Sequence, residues 1–404
     1  MAKKTKKIVE NFLNSNIFTF ESYACHCEMA SVAHIISEEP LPALKLTADK
    51  DTVLKFAFGS KVGLVRINED GSIAESNLLG KLLAVKEDDI EGYIDFFSRN
   101  GFLLPISTNT SETISLLDLQ CITDRLQATL ELMSTITDMS RTSYEKIVRM
   151  IFYHLFAPVI SIETYDERYR YVSKQHKYTR FLEDNKDSKR DERLNDTFNN
   201  VDFDFSDNVG TFSLDADFVD SVLRGVIEDD EYENTLFQEV FTAYCSPREG
   251  KSKIMLYIND FILHYFLEVG IIDHVDLTKT TYVNGINHQD QFSDKLKHMA
   301  TEIGKYIVKE EIESNLKKVR PTYSISKLEP SWIIDSLLSA LYFGLFYMRP
   351  NMETYRRCAN PKCGNFFLVP VSSRKKKYCC KACMNRDMAA RKRARDKLKQ
   401  TART

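Results

Sequence analysis

Arg357-Cys358-Ala359-Asn360-Pro361-Lys362-Cys363-Gly364-Asn365-Phe366-Phe367 is followed, six residues on, by Arg374-Lys375-Lys376-Lys377-Tyr378-Cys379-Cys380-Lys381-Ala382-Cys383-Met384-Asn385-Arg386. The first cysteine pair brackets a tight turn. Pro361 presets its backbone, and Gly364 is free to take the positive φ that lets amide hydrogens point at thiolates. The second pair sits where an apolar-basic strand gives way to a helix-forming run, so two thiolates four apart project from one face of the first helical turn. Four thiolates, Cys358, Cys363, Cys379 and Cys383, suit a closed structural zinc (Zn2+) site with no position left open for water or substrate. Cys379 and Cys380 are adjacent and only one can take the fourth position; Cys379 is the expected ligand, with Cys380 as the alternative. Knuckle, short hairpin and helix together make a treble-clef-like arrangement.

On Cys358, Cys363, Gly364, Phe367, Tyr378, Cys379, Cys383, Asn385 and Arg386 the segment, over about residues 331–400, resembles the CGNR-type zinc finger family. That family's pattern is a knuckle, an aromatic and basic hairpin, and a closing Cys-Gly-Asn-Arg. Here Met384 stands in place of the glycine, and the closing cysteine pair is one residue tighter. The resemblance implies a DNA-binding, regulatory role in a bacterial setting. It does not extend to the rest of the chain.

Beyond Cys383 the run to Lys399 contains strong helix formers and no Gly or Pro, which predicts one continuous exposed helix. Its cations fall on nearly every face and leave no apolar stripe for docking. Arg386, Arg391, Arg395 and Lys399 recur every four or five residues, close to one stripe. Between Arg374 and Thr404 there are thirteen Lys and Arg against two Asp, a charge of +11, which leaves −14 on the preceding chain out of a net −3. An acidic body with a basic tail is the charge arrangement of a protein whose tail meets a polyanion. The expected phosphate contacts are Lys375, Lys376, Lys377, Arg386, Arg391, Lys392, Arg393 and Arg395, and the expected partner is nucleic acid, duplex DNA in particular.

The chain has 404 residues, too long for one core by the usual prior, with 43% hydrophobic and 28% charged residues. The fold class expected is α+β: a mostly helical body with a small antiparallel sheet near the N-terminus, ending in the four-cysteine finger and basic helix. Short strands are read at 44–46, 53–58 and 62–67 with a turn at 69–72, and a weak helix at 8–20. Helical spacing begins at Leu116, through Ile122, Leu126, Leu130, Met133 and Ile136, and a second helix runs Tyr144–Phe156. Residues 183–208 read as a polar loop or linker. Helical patterning returns from about Phe212, through Ile254–Val269 and Asp294–Leu316, to a long apolar helix from Trp332. The domain ranges that follow are 1–110, 111–182, 209–350 and 351–404 on either side of the linker.

No unbroken apolar run suits a signal peptide, and the Trp332–Met348 stretch is short and carries Asp335, so it reads as a core helix and not a membrane span. A cytoplasmic location is expected, with the nine cysteines used for metal and packing in place of disulfides. Cys25-His26-Cys27 lacks a nearby partner pair and reads as structural. Cys121 and Cys245 read as small buried apolar residues, and His154 and His264 as core histidines. The acidic run Glu228-Asp229-Asp230-Glu231 reads as a solvated loop. There is no Gly-rich phosphate loop, nucleophile elbow or His-Glu-x-x-His, so no catalytic residue is assigned. The acidic body is left to sense a ligand, form a homo-oligomer or recruit a partner. The alternatives are a nuclease-like enzyme targeted by the finger, or a protein or RNA interaction module.

Overall fold

A computed structural model describes residues 17–34, 37–59, 62–86, 88–137, 143–157, 159–163, 170–173, 176–186, 235–246, 248–285, 287–288, 292–325, 328–348, 353–363, 365–370, 373 and 376–401. In chain order the elements are β1 (Phe18–His34), β2 (Ser37–Gly59), β3 (Gly63–Ile67), β4 (Ile73–Glu75), α1 (Leu78–Leu82), α2 (Ile90–Asn100), β5 (Glu112–Ser115), α3 (Leu116–Thr137) and α4 (Tyr144–Phe156). They continue as β6 (Ser161–Glu163), β7 (Arg170–Val172), α5 (Lys177–Lys186), α6 (Thr235–Cys245), α7 (Lys253–Glu268), β8 (Ile272–Val275), β9 (Thr280–Tyr282) and α8 (Asp294–Asn315). The last are β10 (Arg320–Ser324), β11 (Glu329–Ile333), α9 (Leu337–Tyr347), β12 (Glu353–Arg357), β13 (Phe366–Pro370) and α10 (Lys381–Thr401). The architecture is α+β, helices combined with small antiparallel sheets.

The chain forms two compact units, both discontinuous: one from 1–140, 158–174 and 308–404, the other from 141–157 and 175–307. The first holds the largest sheet. In it β2 pairs along its whole length with β1, and on its other edge with β3 at one end and β5 at the other, all antiparallel. Where the sequence suggests separate strands at 44–46 and 53–58, the structure has one strand with a bulge. Tyr23 pairs with Val53 but Ala24 with Asp49, so Lys50, Asp51 and Thr52 stand out of register. The Asp49 carboxylate accepts the Asp51 amide at 3.0 Å, a side-chain turn that competes with the ladder and splits the apolar pattern. The weak helix at 8–20 is replaced from Phe18 by β1; 8–16 lie outside the described residues.

Around this sheet pack Tyr93, Phe96 and Phe97 of α2, Leu119, Ile122, Leu126 and Leu130 of α3, and nearly all of α9. The helix expected from Trp332 begins at Leu337 instead. Trp332 belongs to β11, which pairs with β10, and Ser336 in extended conformation accepts the Ser339 amide at 3.1 Å as an N-cap. From Leu337 to Leu345 every residue is buried. Among the described residues no helix is long and apolar enough to cross a membrane.

In the same unit the Arg125 guanidinium donates to the Glu311 carboxylate, both side chains almost fully buried. Burial opposes the Arg125 charge, but the Glu311 carboxylate, with Tyr342 and Tyr171 adding to it, raises the guanidinium's already high pKa. Glu311→Leu alone leaves that cation buried without its counter-charge, and urea titration should show a loss of about 3–5 kcal/mol; Arg125→Met with Glu311→Leu should recover most of it.

The second unit packs α4, α5, α6, α7 and the start of α8. Buried polar groups lie along α7. Asn259 accepts the Tyr178 hydroxyl at 2.8 Å and donates to the Val240 carbonyl at 3.1 Å, and Asp260 accepts Arg248 through both carboxylate oxygens, at 2.7 and 3.2 Å. His154 and His264 are buried, as expected of core histidines; burial lowers the His264 pKa against the pull of Glu268, 3.7 Å away. The end of the 183–208 stretch, the patterning at 212–234 and Glu228–Glu231 lie outside the described residues, while 183–186 complete α5. Burial pushes the Asp260 carboxyl up to about 6, against the opposing effect of Arg248. Its folded pKa therefore exceeds the unfolded value of about 3.9, so the contribution is fully present below about pH 4 and is lost as pH rises through 6. The loss should be roughly 2–3 kcal/mol by chemical denaturation, and Asp260→Asn should flatten that part of the curve.

Candidate metal centre

The centre is built on the β12–β13 hairpin, in register from Glu353 opposite Pro370 to Arg357 opposite Phe366. Alternation along the strands gives it two working faces. Tyr355 and Phe366 enter the core of the first unit, while Phe367 and Val369 pack with Cys358 and Cys383, flanked by Cys363, Tyr378 and Cys379. Asn77, in left-handed conformation just before α1, donates its side-chain amide to the Phe366 carbonyl at 2.7 Å. Gly80 lies so close that a Cβ there would overlap the same carbonyl oxygen. The hairpin is thereby held on the N-terminal sheet's own helix.

The sequence places a hairpin after the knuckle. In the structure the knuckle is the hairpin's loop. The Cys358 amide donates to the Asn365 carbonyl at 2.9 Å and the Cys363 amide to the Asn360 carbonyl at 2.9 Å. Asn360, buried, also accepts the Lys362 amide on its side chain at 3.2 Å, which shapes the turn between the two cysteines. Gly364, expected to take a positive φ, lies outside the described residues. The Ala359 amide donates to the Lys377 carbonyl at 2.9 Å and so ties the knuckle to the second cysteine segment.

One ligand atom from each of Cys358, Cys363, Cys379 and Cys383 lies within 4.8 Å of all the others. The Cys363–Cys379 sulfurs are 3.6 Å apart and the Cys379–Cys383 sulfurs 3.5 Å. A tetrahedral ion about 2.3 Å from each thiolate separates the sulfurs by about 3.8 Å, so the donor set and its spacing fit a metal ion. Cys380, exposed, is 3.9 Å from the Cys379 sulfur and outside that group of four. Burial works against ionisation of Cys358, yet the amides of Cys379 and Asn360 hold its thiol below the ordinary range. Burial chiefly pushes Cys383 up to about 11 and Cys379 higher still. Four sulfurs this close would repel one another as thiolates, and a positive charge at their middle would offset that repulsion.

α10 leaves the centre as one exposed helix. Among its cations, Arg386, Arg391, Lys392, Arg393 and Arg395 are exposed, as are Lys376 and Lys377 just before it; Lys375 lies outside the described residues. Arg393 Nε donates to the Ala389 carbonyl at 3.3 Å and Arg395 Nε to the Arg391 carbonyl at 3.5 Å, and two others have side-chain partners. Lys376 stands over the Phe367 ring, 5.3 Å from its centroid, and Arg391 Nε meets Asp387 at 2.9 Å. Asp387 is buried and also accepts the Tyr378 hydroxyl at 2.6 Å. This Tyr378–Asp387–Arg391 chain, with Asn360 and Asn77, was not read from the sequence. The one signal for it was an acid at 387 among cations, a residue whose retention needs a partner.

Compared with protein-family models, with curated proteins and with solved structures, the chain matches none of them. Metal analysis should find about one ion per chain, retained in Cys380→Ser and lost in Cys358→Ser and Cys383→Ser.

Proposed function

We propose that this chain is a zinc-dependent nucleic-acid-binding protein that engages duplex DNA, in the manner of a transcriptional regulator working in the cytoplasm. The observation that carries the reading is the placement of an exposed, cation-rich helix, α10, directly on a four-cysteine cluster with the spacing of a metal site. Zinc is the ion of choice for four thiolates, since it is borderline-soft and favours a closed tetrahedral set. Bound there, it supplies no chemistry beyond fixing the fold: Cys358 and Cys363 hold the hairpin loop and Cys379 and Cys383 the start of the helix.

The residues of the chain do the rest. The Tyr378–Asp387–Arg391 chain fixes the helix's first turns against the centre, so the cations beyond project from a rigid base. Among the described residues no carboxylate forms an ion pair with Arg386, Lys392, Arg393 or Arg395, which leaves them for phosphate oxygens. Arg391 uses one N–H on Asp387 and keeps the other donors of its planar fork for a phosphate. Such contacts position a protein on nucleic acid without reading its sequence. The acidic remainder repels the same polyanion, which confines binding to the helix and the Lys376–Lys377 segment.

Anisotropy titrations of labelled duplex DNA at several salt concentrations test this. Substituting Arg386, Lys392, Arg393 and Arg395 together with Ala should weaken binding to any sequence and flatten the log K against log salt slope by about 3–4. Unchanged affinity in that variant, or no binding of duplex at low salt, refutes the reading; preferential competition by single-stranded RNA moves it to another nucleic acid.

A further inference from the structure

A second group of cysteines, outside the metal centre, lies on β1. The bulge in β2 changes which residues of β1 face the core. Phe18 and Phe20 are buried before it; after it Cys25 is buried, Cys27 is half-buried on the same side and His26 is exposed on the other. The alternation removes His26 from any shared site and puts the two thiols together, their sulfurs 3.4 Å apart.

We propose that Cys25 and Cys27 are a redox-active dithiol, oxidised by a peroxide to a disulfide within the strand and returned to the dithiol form by a dithiol reductant. Cys25 has one S–H and two acceptors in reach, the Phe97 carbonyl at 3.2 Å and the Cys27 sulfur. The hydrogen bond with Cys27, and then burial, keeps Cys25 protonated well above the ordinary thiol range. The same hydrogen bond holds Cys27 below it, against the effect of burial. The more exposed sulfur is therefore the nucleophile and the buried one the resolving thiol, the division of labour a peroxide-sensing pair needs.

The Cys27 thiolate attacks one peroxide oxygen; an S–O bond forms, the O–O bond breaks, and the departing oxygen takes a proton from water. The Cys25 sulfur then attacks the Cys27 sulfenic acid. An S–S bond forms and the hydroxyl leaves as water with the Cys25 proton. Two electrons pass from the sulfurs to the peroxide. Residues two apart in a strand have Cα atoms about 6.6–6.8 Å apart, the upper end of what a disulfide spans, so the bond pulls on β1 and is readily reduced.

The peptide Ile8–Lys45 that trypsin releases contains these two cysteines and no other, so they are read apart from the metal centre. The full-length protein would be exposed to hydrogen peroxide under native conditions, alkylated with N-ethylmaleimide, digested and weighed. Cys121 serves as the reference thiol, since it is partly buried and its pKa is pushed up to about 11 by burial. The expected result is loss of both alkylatable thiols about tenfold faster than Cys121, with the peptide two hydrogens lighter and restored by dithiothreitol. Cys25→Ser should leave Cys27 trapped as a sulfenic acid that dimedone labels. Oxidation no faster than at Cys121, or a product that dithiothreitol does not reverse, overturns the proposal. Should the variant not fold, phenylarsine oxide on the reduced wild-type protein decides: two thiols in reach of each other hold one arsenic on Ile8–Lys45, and an arsenic-free peptide sinks the assignment.

Discussion

The burial of α9 on every face from Leu337 to Leu345 is the constraint on which the first unit depends. A helix whose residues from Leu337 to Leu345 are all inside has no solvent side. It can rest only where apolar surface surrounds it, at about 1.5–3 kcal/mol for each large side chain so buried. The N-terminal sheet and α3 provide that surface. Leu338 donates its amide to the Leu103 carbonyl at 2.9 Å, and Gly344 lies where a Cβ would come within 3.0 Å of the Phe58 ring. A residue larger than glycine at 344 would have to displace an aromatic side chain in close-packed surroundings. A few residues after α9, β12 packs against α3, with Tyr355 close to Gly63 of β3, and β13 packs against α1.

The hairpin that follows serves two small cores at once. Its strands turn Tyr355 and Phe366 toward the sheet and Phe367 and Val369 toward the cysteines. The cysteine cluster is far too small to be stable by apolar burial alone, so its order comes from the hairpin beneath it and from the cation that four thiolates invite. The Asn77 side chain, spending its donor on the Phe366 carbonyl, marks the seam between the two. The exposed helix inherits its direction from this chain of attachments, from α9 through the hairpin and the cysteine cluster to Asp387.

Much of this was legible in the sequence. The cysteine spacing brought out the four sulfurs that the fold gathers, the absence of Gly and Pro after Cys383 matched the continuous α10, and the spacing from Leu116 and Tyr144 matched α3 and α4, because these signals are local and strong. The β1–β2 ribbon was not legible. Ala24-Cys25-His26-Cys27-Glu28 has little of the β-branched character that marks a strand, and the out-of-register residues Lys50 to Thr52 break the alternation in its partner. Long-range pairing overrode weak propensity there. Trp332 misled for the opposite reason: an apolar residue next to an apolar helix reads as part of it, and only the Ser336 cap and the pairing with β10 show the boundary. Asn77 and Asn360 carry no pattern at all, since their roles depend on backbone hundreds of residues or a single turn away.

The first unit is assembled from residues 1–140, 158–174 and 308–404, with the second unit's sequence emerging between them. During synthesis the N-terminal sheet must therefore leave the ribosome with the surface meant for α9 still uncovered, and stay so while well over a hundred further residues are made. Closing contacts across that separation is slow, and apolar strands left open are the species that chaperones bind. The cysteine hairpin follows α9 in the chain, so capture of a metal ion there would coincide with completion of the sheet's core, and a chain made without metal would lack that clasp.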